Sequence, residues 1–287
     1  MSEQVSLREA FLEASSFLEA AGIQEPNANA ELLLRHVLDL SGATYWAALR
    51  EPFPAGASAR WEAAIRRKAA GEPAQYITGE QEFYGLTFEV TPSVLIPRPE
   101  TELLVEAIAA EGEKLWPSGA PRAVDIGTGS GAIAATLKHL RPAWHMAAGD
   151  LSGDALAVAK SNFERLGLSV ECRQGDLLKP FTGETMDILV SNPPYIPAAD
   201  IEVLQPEVRD YEPRLALDGG PDGLAPYRMM MDQLSLLASI PRLIGFELGM
   251  GQAQDVAELL RSAGHWSEVY IINDFAGIER HVVGVRK

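Results

Sequence analysis

Apolar residues recur every three or four positions early in the chain, at Leu7, Phe11, Leu12, Ala14, Phe17 and Leu18. That period marks a helix that buries one stripe of its surface. Gly22 ends this first helix, and a second carries Leu32, Leu33, Leu34, Val37 and Leu38, with Asn27 or Asn29 near its start. Another helix runs through Trp61, Ala64 and Ile65 and stops at Gly71-Glu72-Pro73, where glycine followed by proline cannot continue it. No chemistry is assignable to this stretch. It reads as a packed helical cap or as a surface that selects a protein partner.

After Gln75 the period shortens. Tyr76-Ile77, Phe83-Tyr84 and Leu86-Thr87-Phe88-Glu89-Val90 are strand formers broken by Gly79 and Gly85, which predicts a hairpin or extended linker. Pro92, Pro97 and Pro99 end it. Glu100-Thr101-Glu102 then opens a helix carrying Leu103, Leu104 and Ile108, its acidic first turn matched to the positive end of the helix dipole. From Arg122 onward short apolar runs alternate with helical stretches, which predicts an α/β fold with a mostly parallel sheet covered by helices on both faces. The expected strands are Ala123–Ile126, Met146–Gly149, Ser169–Cys172, Met186–Val190, Leu243–Glu247, Val269–Ile272 and His281–Val285. The last two leave no room for a crossover helix, so they are expected to pair antiparallel. The resulting division is an all-helical domain over 1–73, a linking β-hairpin over 74–96 and an α/β domain over 97–287.

Composition narrows the function classes. With 287 residues, 47% of them hydrophobic and 22% charged, the chain has an ordinary globular make-up. Glu3, Arg8 and Glu9 are not followed by an uninterrupted apolar core, so neither a secretory leader nor a membrane anchor is expected. Cys172 is the single cysteine, which rules out an intramolecular disulfide and fits a cytoplasmic location. The net charge of -16, from 40 acidic and 24 basic residues, opposes binding to bare nucleic acid or anionic lipid. His36, His139, His145, His265 and His281 show no metal-site spacing, and no metal is expected.

Two motifs carry chemistry. In Asp125-Ile126-Gly127-Thr128-Gly129-Ser130-Gly131 a carboxylate ends a strand and three alternating glycines lead into a helix. Glycines there let the backbone turn sharply and approach a ligand where a Cβ would collide with it. Asp150 ends the next strand, a position from which a carboxylate accepts both hydrogen bonds of a ribose diol, and Asp176 follows the third strand in Gly175-Asp176-Leu177. There it would accept from an adenine amino group while Leu177 packs on the ring. Singly, each aspartate reads equally well as a helix cap or turn residue. Three on one rim of the sheet argue for a nucleoside site. After the fourth strand comes Ser191-Asn192-Pro193-Pro194-Tyr195. Its two prolines remove two backbone donors and hold the loop extended, leaving the Pro193 carbonyl and the Asn192 side-chain carbonyl as a pair of acceptors for an NH2 group. Tyr195 would lie against the flat group that carries it. An ordinary Pro-Pro turn is the plain alternative, but it leaves the flanking Asn and aromatic unexplained.

The D-x-G-x-G-x-G spacing resembles the first motif of S-adenosylmethionine methyltransferases, and the chain as a whole is similar to the PrmC/HemK family of protein-glutamine methyltransferases. The likeness extends to Ile96-Pro97-Arg98-Pro99-Glu100-Thr101-Glu102, to Glu207-Val208-Arg209-Asp210-Tyr211-Glu212-Pro213 and to Asp218-Gly219-Gly220-Pro221-Asp222-Gly223-Leu224. It implies a Rossmann-like class I methyltransferase domain behind a helical substrate-recognition domain, and S-adenosyl-L-methionine as cofactor. It assigns catalysis to Asn192, Pro193, Pro194 and Tyr195. Cofactor binding falls to Asp125, Ile126, Gly127, Thr128, Gly129, Gly131, Asp150, Asp176, Leu177 and Asn192. The implied substrate is the GGQ glutamine of class I release factors; a monomer is expected. Leu177 departs from the larger aromatic that the family often places there.

Two rivals stay open. Methyltransferases of exocyclic amines on nucleic-acid bases use closely similar Asn/Asp-Pro-Pro-aromatic loops, and acidity counts against that substrate here. A non-catalytic binding protein on the same scaffold is the other. Among the remaining signals, Cys172 and Met229-Met230-Met231 read as core packing, and Arg98, Glu100 and Glu102 as a solvated helix-start cluster that could instead line an entrance.

Overall fold

The computed structural model describes residues 5–287. Glu3, and the first four positions of the helical domain expected over 1–73, lie outside the described residues. The chain forms two compact units, one running up to Glu80 and taking in Gln205–Tyr211, the other comprising Gln81–Leu204 and Glu212–Lys287.

The first unit is a helical cluster. α1 (Leu7–Ala20) opens with a capping box in which Ser6 Oγ accepts from the Glu9 N–H at 3.3 Å and Glu9 Oε2 accepts the Ser6 N–H at 2.8 Å. Its stripe of Leu7, Ala10, Ala14 and Leu18 is buried in the same core as Ala30, Leu33, Leu34 and Val37 of α2 (Pro26–Leu38). Pro26 stands in the first turn of α2, where its missing N–H costs no hydrogen bond. A short α3 (Gly42–Ala48) that sequence periodicity did not reveal brings Tyr45 into this core, and α4 (Ser58–Ala69) adds Trp61, Ala64 and Ile65. α4 also buries Lys68 completely, with Nζ 2.7 Å from Glu207 Oε1, and Tyr211 donates its hydroxyl to the Ala70 carbonyl at 3.0 Å. A buried ammonium must be paired, and these two contacts hold Gln205–Tyr211 in the helical unit.

Tyr76-Ile77 correct the strand reading: they lie in a short helix, α5 (Ala74–Thr78). Pro73 precedes it and Gly79, at φ 77°, closes it by donating to the Gln75 carbonyl at 2.7 Å. Proline-to-glycine punctuation outweighs the strand propensity of the two residues between. The hairpin begins only at β1 (Glu80–Phe83) and returns as β2 (Leu86–Glu89), turning at Tyr84 and Gly85 with φ of 53° and 71°. Two left-handed residues make the tight loop whose twist suits antiparallel strands.

In the second unit α6 (Thr101–Leu115), β3 (Arg122–Ile126), α7 (Ala132–Leu140), β4 (His145–Asp150), α8 (Gly153–Arg165), β5 (Glu171–Gln174) and β6 (Ile188–Ser191) follow one another. After α9 (Pro206–Tyr211), which belongs to the helical unit, come α10 (Ala225–Gln233), β7 (Leu243–Glu247), α11 (Ala253–Ala263), β8 (Glu268–Asn273) and β9 (Glu279–Val285). The seven sheet strands run in the order β5-β4-β3-β6-β7-β9-β8, parallel except that β9 is antiparallel to both β7 and β8. The third strand of this sheet lies two residues later than Ser169–Cys172, because pairing with β4 sets Ala147 against Glu171 and Asp150 against Gln174. The fourth begins at Ile188 rather than Met186.

Every position of β6 and β7 is buried, as befits strands covered on both faces. Side chains alternate between two cores: Ala123, Ile188, Val190 and Leu243 pack with α6 and α7, while Val124, Leu189, Ile244 and Phe246 pack with α10 and α11. Chain order reverses at β3, between β4 and β6. The crevice beyond the carboxyl ends of these strands is where an open α/β sheet binds its ligand.

Candidate active site

The turn after β3 is built for close approach. Gly127, Gly129 and Gly131 adopt φ of 71°, 55° and 84°, a region an L side chain strains to reach. The N–H groups of Gly127 and Thr128 donate to the Gly149 carbonyl at 2.8 and 3.0 Å, tying the turn to the end of β4. Asp150 Oδ2 accepts the Gly129 N–H at 2.9 Å and Oδ1 accepts the Ser152 N–H at 2.8 Å. Burial pushes the Asp150 carboxyl up, against the pull of these backbone donors.

A cavity of about 540 Å³ opens beside the turn, well inside the range of pockets that take small molecules. Ile126, Gly127, Thr128 and Gly129 line it on one side, with Asp150, Asp176 and Leu177 along its rim and Asn192 and Pro194 at the end of β6. The sequence therefore named most of one wall. Asp176 carries a salt bridge to Lys179 Nζ at 2.6 Å, and Leu177 holds a left-handed φ of 50°. The cavity fits a nucleoside cofactor on an observation of the turn itself: a Cβ on Gly127 or Gly129 would meet no protein atom within 4 Å, so the space it would enter is kept open. The glycine turn, Asp150, Asp176 and Leu177 are the residues that would hold such a group.

Four expected site residues sit outside the lining. A Cβ on Gly131 would come within 2.7 Å of the Phe163 ring, so this glycine lets α8 pack closely. Pro193 is buried, and Tyr195 is half-buried with its ring against Gly249. Burial and the charge of Glu247 push the Tyr195 phenol up to about 12, which keeps it protonated at neutral pH. Asp125 is fully buried, where its Oδ2 accepts from Thr128 Oγ1 at 2.7 Å and from the Ala134 N–H at 3.2 Å, bracing the turn from below.

Asp125 makes stability pH-dependent. Burial is the main cause that pushes its carboxyl from 3.8 up to about 7, and Oδ1 has no partner. The folded chain holds this proton more tightly than the unfolded one, so the stabilisation is complete below 3.8 and is lost as pH rises through about 7. Asp125→Asn keeps an acceptor for Thr128 and Ala134 without a charge to bury. Its melting temperature is expected to exceed that of the wild type at pH 8, by about 2–4 °C per kcal/mol, to exceed it by clearly less at pH 5, and to lose the advantage only below 3.8. Parallel melting curves at both pH values would contradict this.

Sequence reasoning left Met229, Leu215 and Thr101 out of the cavity wall and gave Arg98 two readings. Arg98 lines the cavity, its guanidinium bonded to the Ile96 carbonyl at 3.1 Å and to the buried Glu212 at 2.6 Å, so it is part of the wall and not a solvated helix-start charge. Glu102 is structural, accepting the Tyr84 N–H at 2.7 Å. Of the three methionines, Met230 is core, while Met229 is exposed and lines the cavity, as Leu215 does. Thr101 also faces it; Asn192 Nδ2 donates to Thr101 Oγ1 at 3.4 Å, leaving the Asn192 Oδ1 as the available acceptor. The Asn192 loop itself is clamped by the Asp218–Gly223 turn. The Ile196 N–H donates to the Leu217 carbonyl at 3.0 Å, Gly219 returns a bond to Ile196 at 2.9 Å, and Gln252 Nε2 donates to the Tyr195 carbonyl at 2.9 Å. A signal for this clamp was present in the sequence as closely spaced glycines, but spacing does not say which backbone they approach.

Known proteins agree with this architecture. The family model of the PrmC N-terminal domain matches residues 9–79, and that of the methyltransferase small domain matches residues 99–219. The release factor glutamine methyltransferase of Moorella thermoacetica is 44% identical over 285 residues, covering 99% of both chains. Those of Koribacter versatilis and Bacillus subtilis are each 40% identical, covering 98% and 96% of both chains. Among solved structures, the catalytic domain of hMettl16 in complex with a MAT2A 3′UTR hairpin has a TM-score of 0.55 at 18% identity, covering 82% of this chain and 83% of that one. The T. thermophilus 16S rRNA N2 methyltransferase RsmC in complex with AdoMet and guanosine has a TM-score of 0.51 at 17% identity, covering 72% of this chain and 50% of that one. At such identities the two structures speak for the fold alone, which is that of class I methyltransferases. Full-length identity of this order with the curated relatives decides the family: the chain belongs to the release factor glutamine methyltransferases.

Proposed function

We propose that this protein transfers a methyl group from S-adenosylmethionine to the side-chain amide nitrogen of a glutamine, the GGQ glutamine of a class I peptide chain release factor. The observation that carries the reading is Asn192 at the cavity wall, its NH2 engaged by Thr101 and its Oδ1 available to a substrate. When bound, S-adenosylmethionine supplies a methyl on a positively charged sulfonium, the electrophile of the reaction.

A primary amide nitrogen is a poor nucleophile because its lone pair is delocalised into the carbonyl. In this reading Asn192 Oδ1 and the Pro193 carbonyl accept its two N–H groups, fix its orientation and favour the positive charge that grows on nitrogen. The surplus proton leaves to water afterwards. Tyr195 is not its acceptor, since its phenol stays protonated. Asp150, Asp176 and Leu177 are assigned to the cofactor's nucleoside, and the glycine turn to the part of the cofactor that lies closest to the backbone. The helical unit is assigned to recognition of the release factor. No helix among the described residues is long and apolar enough to cross a membrane, and we place the enzyme in the cytoplasm as a monomer.

The test offers the protein a release factor, ribosomal RNA and DNA in parallel with labelled cofactor. Label in the release factor, with a mass gain of about 14 Da at the GGQ glutamine, is expected for one added CH2. Label confined to nucleic acid would replace the substrate assignment with a base-amine methyltransferase.

A further inference from the structure

Behind Asn192 runs a hydrogen-bond chain of which the function proposed above uses only the first link. Asn192 Nδ2 donates to Thr101 Oγ1 at 3.4 Å, and Thr101 Oγ1 donates to Glu247 Oε2 at 2.6 Å. Thr101 and Glu247 are buried, at 4% and 2% exposure. A threonine in the first turn of a helix ordinarily bonds the local backbone. α6 has no side-chain capping bond, and the Thr101 hydroxyl reaches instead across 146 positions of sequence to the last residue of β7. Glu247 is itself anchored, with its carbonyl accepting the Tyr227 hydroxyl at 2.7 Å and its Oε2 3.7 Å from Nε2 of the buried His281.

The polarity of this chain is set at its far end. A carboxylate only accepts, so the single Thr101 hydroxyl proton goes to Glu247 and the Thr101 oxygen is left to accept from Asn192. An asparagine amide is otherwise free to flip, since its two ends are nearly equal in size. We infer that Thr101 and Glu247 are positioning residues that lock the Asn192 amide with its NH2 inward, so that its Oδ1 and not its NH2 faces the substrate NH2. A flipped amide would present a donor to a donor. The inference rests on the proposed role of Asn192 as acceptor, and it adds two residues on different elements that hold the acceptor in register.

Steady-state kinetics with the full chain and a release factor test it. Thr101→Val keeps the shape and removes the hydroxyl; kcat is expected to fall by about tenfold to a hundredfold, the scale of a misplaced catalytic group. The KM for release factor and the dissociation constant of S-adenosylhomocysteine stay within about twofold, because the change acts on orientation and not on ground-state binding. Thr101→Ser returns most of the lost kcat. In an Asn192→Ala background Thr101→Val costs no more than about twofold, the coupling expected of residues acting through one group. An undiminished kcat in Thr101→Val, the same loss in both backgrounds, or no rescue by serine overturns the inference. One readout is independent of substrate: the side-chain 15N resonance of Asn192 shifts in Thr101→Val and returns in Thr101→Ser. If the wild type leaves the release factor unmethylated, the substrate reading fails, and an unmoved resonance would still sink the positioning role on its own.

Discussion

Asn192→Ala is expected to lower kcat for release-factor methylation by about 10²–10³-fold, the usual cost of deleting one preorganised hydrogen-bonding group at a reacting centre. The loss arises because the substrate amide would keep only one of its two acceptors and could rotate away from the line of attack. Cofactor affinity should stay within about twofold, since the change removes no contact of the glycine turn or of Asp150. Titration calorimetry with S-adenosylhomocysteine, beside single-turnover methylation, separates the two quantities. A parallel collapse of affinity and turnover would move Asn192 from orienting the substrate to holding the cofactor.

Gly223→Ala is expected to be comparably damaging, by about 10²-fold in kcat, although Gly223 touches no reacting group. A Cβ on Gly223 would overlap the Tyr195 carbonyl oxygen and Gln252 Nε2, the two partners that hold the end of the Asn192 loop, and φ there is 76°. Backbone cannot yield as a flexible side chain can, so the loop must shift. Gly167→Ala is the control: its φ is 67°, but nothing lies within 4 Å of the added Cβ. It carries the left-handed penalty of about 1–2 kcal/mol without the collision, and should lose stability while keeping kcat. Equal kcat losses in the two variants would mean that backbone strain, not the clamp, is what matters.

Both predictions depend on contacts that differ in how far the chain discloses them. The alternation of apolar runs with helical stretches was enough for an α/β sheet with an antiparallel end, because periods of 2 and 3.6 are local properties of consecutive residues. Gly127, Gly129, Asp150, Asp176 and Asn192 were legible for a related reason: each stands at the end of a strand, and all parallel strands end on one rim. Local reading failed at Tyr76-Ile77, where capping by Pro73 and Gly79 made a helix of two strand formers. It could not choose between a solvated and an entrance-lining Arg98, since the partner that fixes its place, Glu212, is 114 positions away.

By itself, then, the amino-acid order determined the strand and helix alternation, the glycine turn with the carboxylates at the neighbouring strand ends and the Asn-Pro-Pro-Tyr loop, all of which depend on neighbours within a few residues. Only the tertiary structure decided that Thr101 and Glu247 stand behind Asn192, that Gly223 lies against the Tyr195 carbonyl with no room for a side chain, and that Gln205–Tyr211 joins the helical unit. The physical reason is that hydrogen bonds and close packing join residues distant along the chain, and local spacing carries no record of which distant partner the folded backbone will bring within reach.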